Sequence, residues 1–251
     1  MQKSPIVYII GAGPGDPDLL TRKAYQILTE MVDVVVYDRL VPDEILAIIP
    51  KEIEKIYAGK SCKTHHMTQD EIHIELLRQV RSGKQVARLK GGDPFIFGRG
   101  GEEVLFLAEH DVTFEIIPGI SAATGISAAL GVPLTHRGTA TSVQFITGHQ
   151  QNGEKTSHNW NSLSDPQTTL VVYMGLTNLG TITGELMAHG RSPDTPAIVV
   201  QDGTTPMERV CVGTLQNIAG KVRSQDITAP AITLIGDVVR VAQLLGTVNM
   251  H

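Results

Sequence analysis

The sequence predicts an α/β protein with mainly buried strands, and three observations lead there. Short apolar, β-rich runs recur along the chain with helical stretches between them. The 251 residues are 41% hydrophobic, enough for one large core or two cores of about 100–130 residues. Around 118–136 the segment "PGISAATGISAALGVPLTH" is small and apolar with proline or glycine at each end. It reads as a tightly packed helix joining two halves, each with its own sheet, and it divides the chain into domains at 1–118 and 119–251.

In chain order, "VYIIG" (7–11) is the first strand and passes into a glycine turn. A helix over Leu19 to Met31 leads to the strand "DVVVYD" (33–38). A second helix covers Asp70 to Arg81, with Asp70 as its N-cap and Gly83 just past its end. The strand "QVARLKG" (85–91), the helix "GEEVLFLAEH" (101–110) and the strand "FEIIPG" (114–119) complete the first half. The second half offers the strands "SVQFITG", "TLVVYMG", "AIVVQDG" and "AITLIGDVV", the last ending at Val239. Between the first two of these, Gly148 to Gln167 is polar and reads as an exposed loop. No segment repeats at a fixed period.

Charge and cysteine usage narrow the function classes. A formal net charge of -5 argues against wholesale nucleic-acid binding, which needs a dense basic surface. No apolar run reaches the roughly 18 residues of a membrane span, and the apolar part of "MQKSPIVYIIGAG" is too short for a signal peptide. A cytoplasmic protein without a membrane partner is expected. Cys62 and Cys211 are far apart and read as free thiols. His65, His66 and His73 lie near Cys62, but no spacing among them matches a zinc pattern, so no metal is expected.

Two glycine turns carry the chemistry. In "GAGPGDPDLLT" the third glycine comes one residue too early for G-x-G-x-x-G, Pro14 removes an N–H donor, and Asp16 puts a negative charge where a pyrophosphate would sit. Asp38, at the end of the next strand, does mimic the ribose-binding acid of that fingerprint. A dinucleotide turn and a plain strand-to-helix turn both remain open at this point. "RLKGGDPFIFGRGGEE" (88–103) packs five glycines, two arginines and three carboxylates into sixteen residues. Such glycine density implies close approach of something to the main chain, or several residues at positive φ; a long irregular loop is the plainer alternative.

Taken together, "GAGPGDPDLLT", "VVVYDRLV", "RLKGGDPFIFGRGGEE", "PGISAATG", "PLTHRG", "VVYMG" and "QDGT", in this order from Val7 to about Val239, resemble the tetrapyrrole methylase family. "YDRLV", "GGDPFIFGRGGEE" and "PLTHRG" resemble most the branch of it that methylates uroporphyrinogen III. The resemblance implies two α/β domains with the active site in the cleft between them, S-adenosylmethionine as methyl donor (leaving as S-adenosylhomocysteine), and no Rossmann nucleotide site. It also implies a homodimer, and the product precorrin-2, methylated at C2 and C7, on the way to siroheme, cobalamin or heme d1. A precorrin methyltransferase acting on a later corrin intermediate is the alternative within the family. By the same resemblance Pro14, Gly91, Gly92, Asp93, Ile96, Ser121, Ala122, Met174 and Gly203 contact the donor, with serine at 121 where relatives often carry threonine. Met174 reads equally well as core packing.

A substrate with eight carboxylates calls for arginine, whose planar fork binds a carboxylate bidentately. Arg39, Arg99 and Arg137 occupy motif positions and are the candidate clamps, and His136, beside Arg137, is a candidate for lining the substrate site. Methyl transfer to a pyrrole carbon is followed by loss of a bridging-carbon proton, so a base must sit near the ring. Glu102 is the first candidate and Asp38 its rival; in relatives Asp38 and Lys60 correspond to a proposed acceptor and donor pair. Glu102 reads equally as a first-turn carboxylate favouring the dipole of its helix. Outside the family, an NAD-dependent dehydrogenase, a nucleic-acid methyltransferase and a non-catalytic tetrapyrrole carrier are the competing classes.

Overall fold

The computed structural model describes residues 4–59, 67–149 and 158–248, and the chain divides into two compact units, Met1–Ser121 and Ala122–His251. The N-terminal unit holds five parallel strands in the order β3-β2-β4-β1-β5: β1 Val7–Gly11, β2 Val34–Tyr37, β3 Glu54–Tyr57, β4 Val86–Lys90 and β5 Phe114–Ile117. One face, with Tyr8, Ile10, Ala87 and Leu89, packs on Ala24, Ile27 and Leu28 of α1 (Arg22–Glu30) and Ile45 of α2 (Asp43–Ile48). The other, with Val7, Ile9, Val34, Val36 and Val86, packs on Ile72, Leu76 and Val80 of α3 (Gln69–Arg81) and Leu107 of α4 (Gly100–Glu109). Both faces are covered, which is why the central strands read as nearly unbroken apolar runs; each such side chain contributes about 1.5–3 kcal/mol by its burial.

Helix starts are where local chemistry corrects the sequence reading. The first helix begins at Arg22 rather than Leu19, because Pro17–Leu19 form a 3₁₀ turn capped by Asp16, and the Thr21 hydroxyl accepts the Ala24 N–H at 3.2 Å. Thr68, not Asp70, caps α3. Its hydroxyl accepts the Glu71 N–H at 3.2 Å while Glu71 Oε2 accepts the Thr68 N–H at 2.6 Å, a reciprocal capping box. Asp70 sits within the first turn, where its charge favours the helix dipole.

The C-terminal unit carries a mixed sheet in the order β6-β7-β10-β8-β9: β6 Ser142–Thr147, β7 Thr168–Tyr173, β8 Pro196–Gln201, β9 Arg209–Thr214 and β10 Ala231–Ile235. Only β6 and β7 pair in parallel; the other neighbours run antiparallel. On one face Ala123 and Ile126 of α5 (Ala122–Ala129) and Val239 and Ala242 of α9 (Val239–Leu245) pack on Val171, Ile198, Val200, Ile232 and Leu234. On the other lie α6 (Trp160–Leu163), α7 (Leu179–Ala188) and α8 (Ile218–Ser224), through Leu163, Leu179, Ile182, Leu186, Ile218 and Val222.

Three sequence readings change in this unit. The expected helix of 118–136 is only α5, which stops short of Gly131 at φ +67. The apolar run 231–239 is a strand to Ile235, then Gly236 at φ +151, then the first residue of α9. The expected exposed loop of 148–167 contains α6, whose Leu163 is buried.

Candidate active site

The predicted turns of the N-terminal unit meet at the carboxyl ends of its strands, the edge where ligands bind in open α/β sheets. The Gly13 N–H donates to Gly92 O at 3.2 Å and the Gly92 N–H to Gly13 O at 2.7 Å, so the two glycine turns are bonded to each other. A Cβ on Gly11 would lie 2.5 Å from Gly119 N and 2.6 Å from Gly92 O. At these positions the glycine density is therefore main chain against main chain, where three neighbouring strand ends crowd together, and Gly92 also needs its φ of +67. Pro14 is half-buried in the first turn, and Asp16 is spent on capping the Asp18 N–H at 2.9 Å. Since α1 starts only at Arg22, the glycine turn does not run directly into an α-helix as the dinucleotide fingerprint requires, and that reading loses the anion site such a helix start provides.

Asp93 fixes the second turn: Oδ1 accepts the Phe95 N–H at 2.9 Å and Oδ2 the Gly119 N–H at 3.1 Å, joining the ends of β4 and β5. Gly91 and Gly92 are half-buried and Ile96 bonds back to Asp93 O at 3.3 Å. Phe97 and Arg99 both sit at positive φ, 53° and 59°. Such left-handed non-glycine residues cost energy and persist where their surroundings over-determine them. Here Gly98 and Gly100 press on Pro94 O, where a Cβ would come within 2.7 and 2.6 Å.

Arg39 is exposed, one residue past Asp38. Asp38 Oδ1 accepts the Leu40 N–H at 3.1 Å and Oδ2 accepts from Arg88 at 3.0 Å. Arg99 and Glu102 form a bidentate pair, Nε to Oε1 at 2.9 Å and Nη2 to Oε2 at 2.6 Å, both about half exposed. The guanidinium holds the Glu102 carboxyl below the usual carboxylate range. Glu102 is thus both a first-turn residue of α4 and a solvent-facing carboxylate. Lys60, Cys62, His65 and His66 lie outside the described residues. His73 is a packed side chain, stacked on Phe106 with ring centroids 4.7 Å apart and hydrogen-bonded to Gln69, and burial pushes its imidazole pKa down.

In the C-terminal unit, Ala122 opens α5, whose Ala123 N–H donates to the Tyr173 hydroxyl at 3.0 Å. Met174 follows β7 at φ +53 and is 53% exposed, which excludes core packing. Gly203 follows β8 between Asp202 and Thr204, at φ +48 and +65, and a Cβ there would lie 2.6 Å from Ile126 Cδ1. Gly203 thus lies against α5, and Met174 is the residue after the tyrosine whose hydroxyl meets the first turn of that helix. Ser121, buried, is the last residue of the N-terminal unit. His136 and Arg137 are exposed in a turn closed by reciprocal His136–Ala140 hydrogen bonds of 3.0 and 2.9 Å.

Sequence reasoning overlooked a buried ionic cluster beneath the second glycine turn. Glu103, with no exposed surface, accepts at Oε1 from Arg88 Nε at 3.0 Å, Lys90 Nζ at 2.9 Å and Gln69 Nε2 at 3.1 Å. Arg88 and Lys90 are themselves almost fully buried. Burial opposes ionisation of Glu103, yet the two cations outweigh it and hold its carboxyl below the usual range; burial and Arg88 together push Lys90 down. The signal was available: two basic residues in the inner strand "VARLK" contradict the apolar run a doubly covered strand should show.

The chain resembles known proteins over most of its length. The sequence profile of the Tetrapyrrole (Corrin/Porphyrin) Methylases family matches residues 6–219. A siroheme synthase of Saccharophagus degradans is 50% identical over 240 residues, 96% of this chain but 52% of that protein. The chain thus spans about half the length of the curated relatives it matches. Among solved structures, a uroporphyrin-III C-methyl transferase from Thermus thermophilus complexed with S-adenyl homocysteine is 44% identical, covering 94% of this chain and 93% of that one at a TM-score of 0.80. A cobalt precorrin-4 methyltransferase is 28% identical, covering 94% and 96% at a TM-score of 0.83.

Proposed function

This chain belongs to the tetrapyrrole (corrin/porphyrin) methylase family, and from that membership we propose that it methylates uroporphyrinogen III at C2 and C7, giving precorrin-2, with S-adenosylmethionine as donor. The observation that carries the reading is the 44% identity over 94% of the chain to a uroporphyrin-III methyltransferase crystallised with S-adenyl homocysteine. A later corrin intermediate as substrate is the second reading, favoured by the TM-score of 0.83 to a cobalt precorrin-4 methyltransferase. A homodimer in solution is part of the proposal and is checked by light scattering.

The donor-side residues suit a nucleoside with an amino-acid tail. Gly91 and Gly92 leave main chain half-exposed at the carboxyl end of β4, and Asp93 holds their turn through two backbone N–H groups. Ser121 and Ala122 are small, Gly203 lies against Ile126 of the helix that Ala122 opens, and Met174 follows Tyr173, whose hydroxyl meets the same helix. In the proposal these residues, with Pro14 and Ile96, hold S-adenosylmethionine. When bound, that group supplies a methyl made electrophilic by its sulfonium.

The chain's own residues do the rest. Exposed Arg39, Arg99 and Arg137, with His136, grip substrate carboxylates and fix the pyrrole carbon in line with the methyl. Orientation of this kind removes on the order of 7–11 kcal/mol from a barrier. Attack by the pyrrole carbon leaves positive charge on the ring, which is discharged when a bridging-carbon proton passes to a carboxylate. Glu102 and Asp38 are the candidates, with Lys60 as the donor partner of Asp38. Arg99 restrains the basicity of Glu102 while the two are paired; a substrate carboxylate that captures Arg99 frees Glu102 to accept the proton.

Incubation with S-adenosylmethionine and uroporphyrinogen III, followed by mass spectrometry, should show gain of two methyl groups. Donor binding without methylated uroporphyrinogen, but with methylated precorrin, would favour the second reading; no heat of donor binding in folded protein overturns both.

A further inference from the structure

We infer that Glu103 is a positioning residue of this site, acting through Lys90 and Arg88 to hold the Gly91–Arg99 turn and the Asp38 carboxylate in register. The inference rests on the methyltransferase reading above. Glu103 is fully buried and its carboxylate is taken up by Arg88, Lys90 and Gln69, so it is no proton acceptor for the ring.

What sets it apart is where its partners lead. Arg88 and Lys90 occupy alternate positions on β4 and therefore share one face of the sheet, the face under α3 and α4. Lys90 is the last residue of β4 and directly precedes Gly91. Arg88 uses Nε for Glu103 and Nη2 for the Asp38 carboxylate at 3.0 Å, and donates through Nη1 to Leu89 O at 3.0 Å. Glu103 itself follows Glu102 in the first turn of α4, so fixing its inward side fixes the outward side that carries the Arg99–Glu102 pair. One carboxylate oxygen thus ties together the turn after β4, the residue after β2 and the start of α4.

Stability alone does not account for such a cluster. Taking an ion out of water costs several kcal/mol, and well-packed apolar residues commonly serve a core as well or better. The hydrogen bonding is also lopsided: Oε1 accepts three donors while Oε2, equally buried, has no partner among the described residues. An arrangement selected only to satisfy buried polar atoms would not leave an orphan. Convergence on one oxygen is what a device for fixing the relative placement of three segments requires.

The test uses the full chain and the variants Lys90→Met, which keeps the Arg88–Glu103 pair, Glu103→Gln, and the two combined, which removes one charge of each sign. For Lys90→Met and Glu103→Gln, measured below their thermal midpoints, kcat should fall about tenfold or more with KM for uroporphyrinogen III little changed. Calorimetry should show S-adenosylhomocysteine binding several-fold weaker in Lys90→Met, because Lys90 abuts the donor turn. The double variant should recover part of the lost thermal midpoint without recovering kcat. A folded Lys90→Met with wild-type kcat and wild-type donor affinity overturns the inference, as does a double variant whose kcat returns with its midpoint. If the wild type binds S-adenosylhomocysteine but methylates no tetrapyrrole, the proposed function falls, and donor affinity in Lys90→Met alone decides the positioning role.

Discussion

Arg99 and Glu102 concentrate the residue-scale question, because each occupies the other in the free protein. A surface pair of this kind contributes only about 0.2–1 kcal/mol to stability, so effects on turnover are separable from effects on folding. Arg99→Ala should raise KM for the tetrapyrrole, while Glu102→Gln should lower kcat with S-adenosylhomocysteine affinity kept; steady-state kinetics with calorimetry checks both, and normal turnover in both variants would remove these residues from the site. Glu103 behaves differently because it is buried. Its folded pKa lies below its unfolded one, so its stabilisation is complete above the ordinary carboxylate value of about 4.3 and drains as pH falls through the lowered folded value. Lys90 is also lowered, so its contribution to stability rises with pH between its folded value and about 10.4. Urea midpoints against pH should therefore fall more steeply below about pH 4.3 in the wild type than in Glu103→Gln. At neutral pH that variant should be less stable by about 3–5 kcal/mol, since two buried cations lose their shared partner.

At the scale of elements, the glycines separate into two kinds that composition does not distinguish. Gly119 closes on Gly11 and Gly92 so tightly that a Cβ would overlap backbone atoms that cannot yield, whereas a Cβ on Gly184, inside α7, meets nothing within 4 Å. Gly119→Ala should therefore strongly destabilise the N-terminal unit, and Gly184→Ala should stabilise by about 0.5–1 kcal/mol; thermal midpoints of the two variants should move in opposite directions. The same contrast explains what was legible in the sequence. Inner strands such as β1, β2 and β7 announce themselves because both faces are covered. The edge strands β3 and β9 do not, since "EKIY" and "RVCVGT" carry the polar residues an edge tolerates. In β10 the apolar run continues past the strand because Val238 and Val239 are buried as well, but on a helix start. Motif resemblance pointed to the exposed turns, and Asp93 proves to be a turn-fixing residue of one of them. It was silent on Arg88, Lys90 and Glu103, whose buried roles appear only when strand, helix and turn are seen together.

For the whole molecule, the net charge of -5 opposes the proposed octa-anionic substrate at long range, so in the proposal binding rests on short-range guanidinium contacts. Among the proposed clamps Arg39, Arg99 and Arg137 are all exposed, and Arg99 must exchange an internal carboxylate for an external one. Two salt effects then compete. Screening shortens the Debye length from about 10 Å at 0.1 M to roughly 3 Å at 1 M, which relieves the general repulsion and also weakens each clamp. The proposed clamps would act at contact distance while the net charge belongs to the whole chain, so the first salt added should act mainly on the long-range repulsion and later additions mainly on the clamps. KM for uroporphyrinogen III should accordingly pass through a shallow minimum at low salt and then climb several-fold towards 1 M, while S-adenosylhomocysteine affinity, which the proposal rests on main-chain and apolar contacts, stays nearly flat. Steady-state kinetics across the salt series, with light scattering to hold the oligomeric state constant, makes the measurement. A KM independent of salt would mean that exposed arginines do not grip the substrate, and the search for its binding groups would have to move to other residues of the chain.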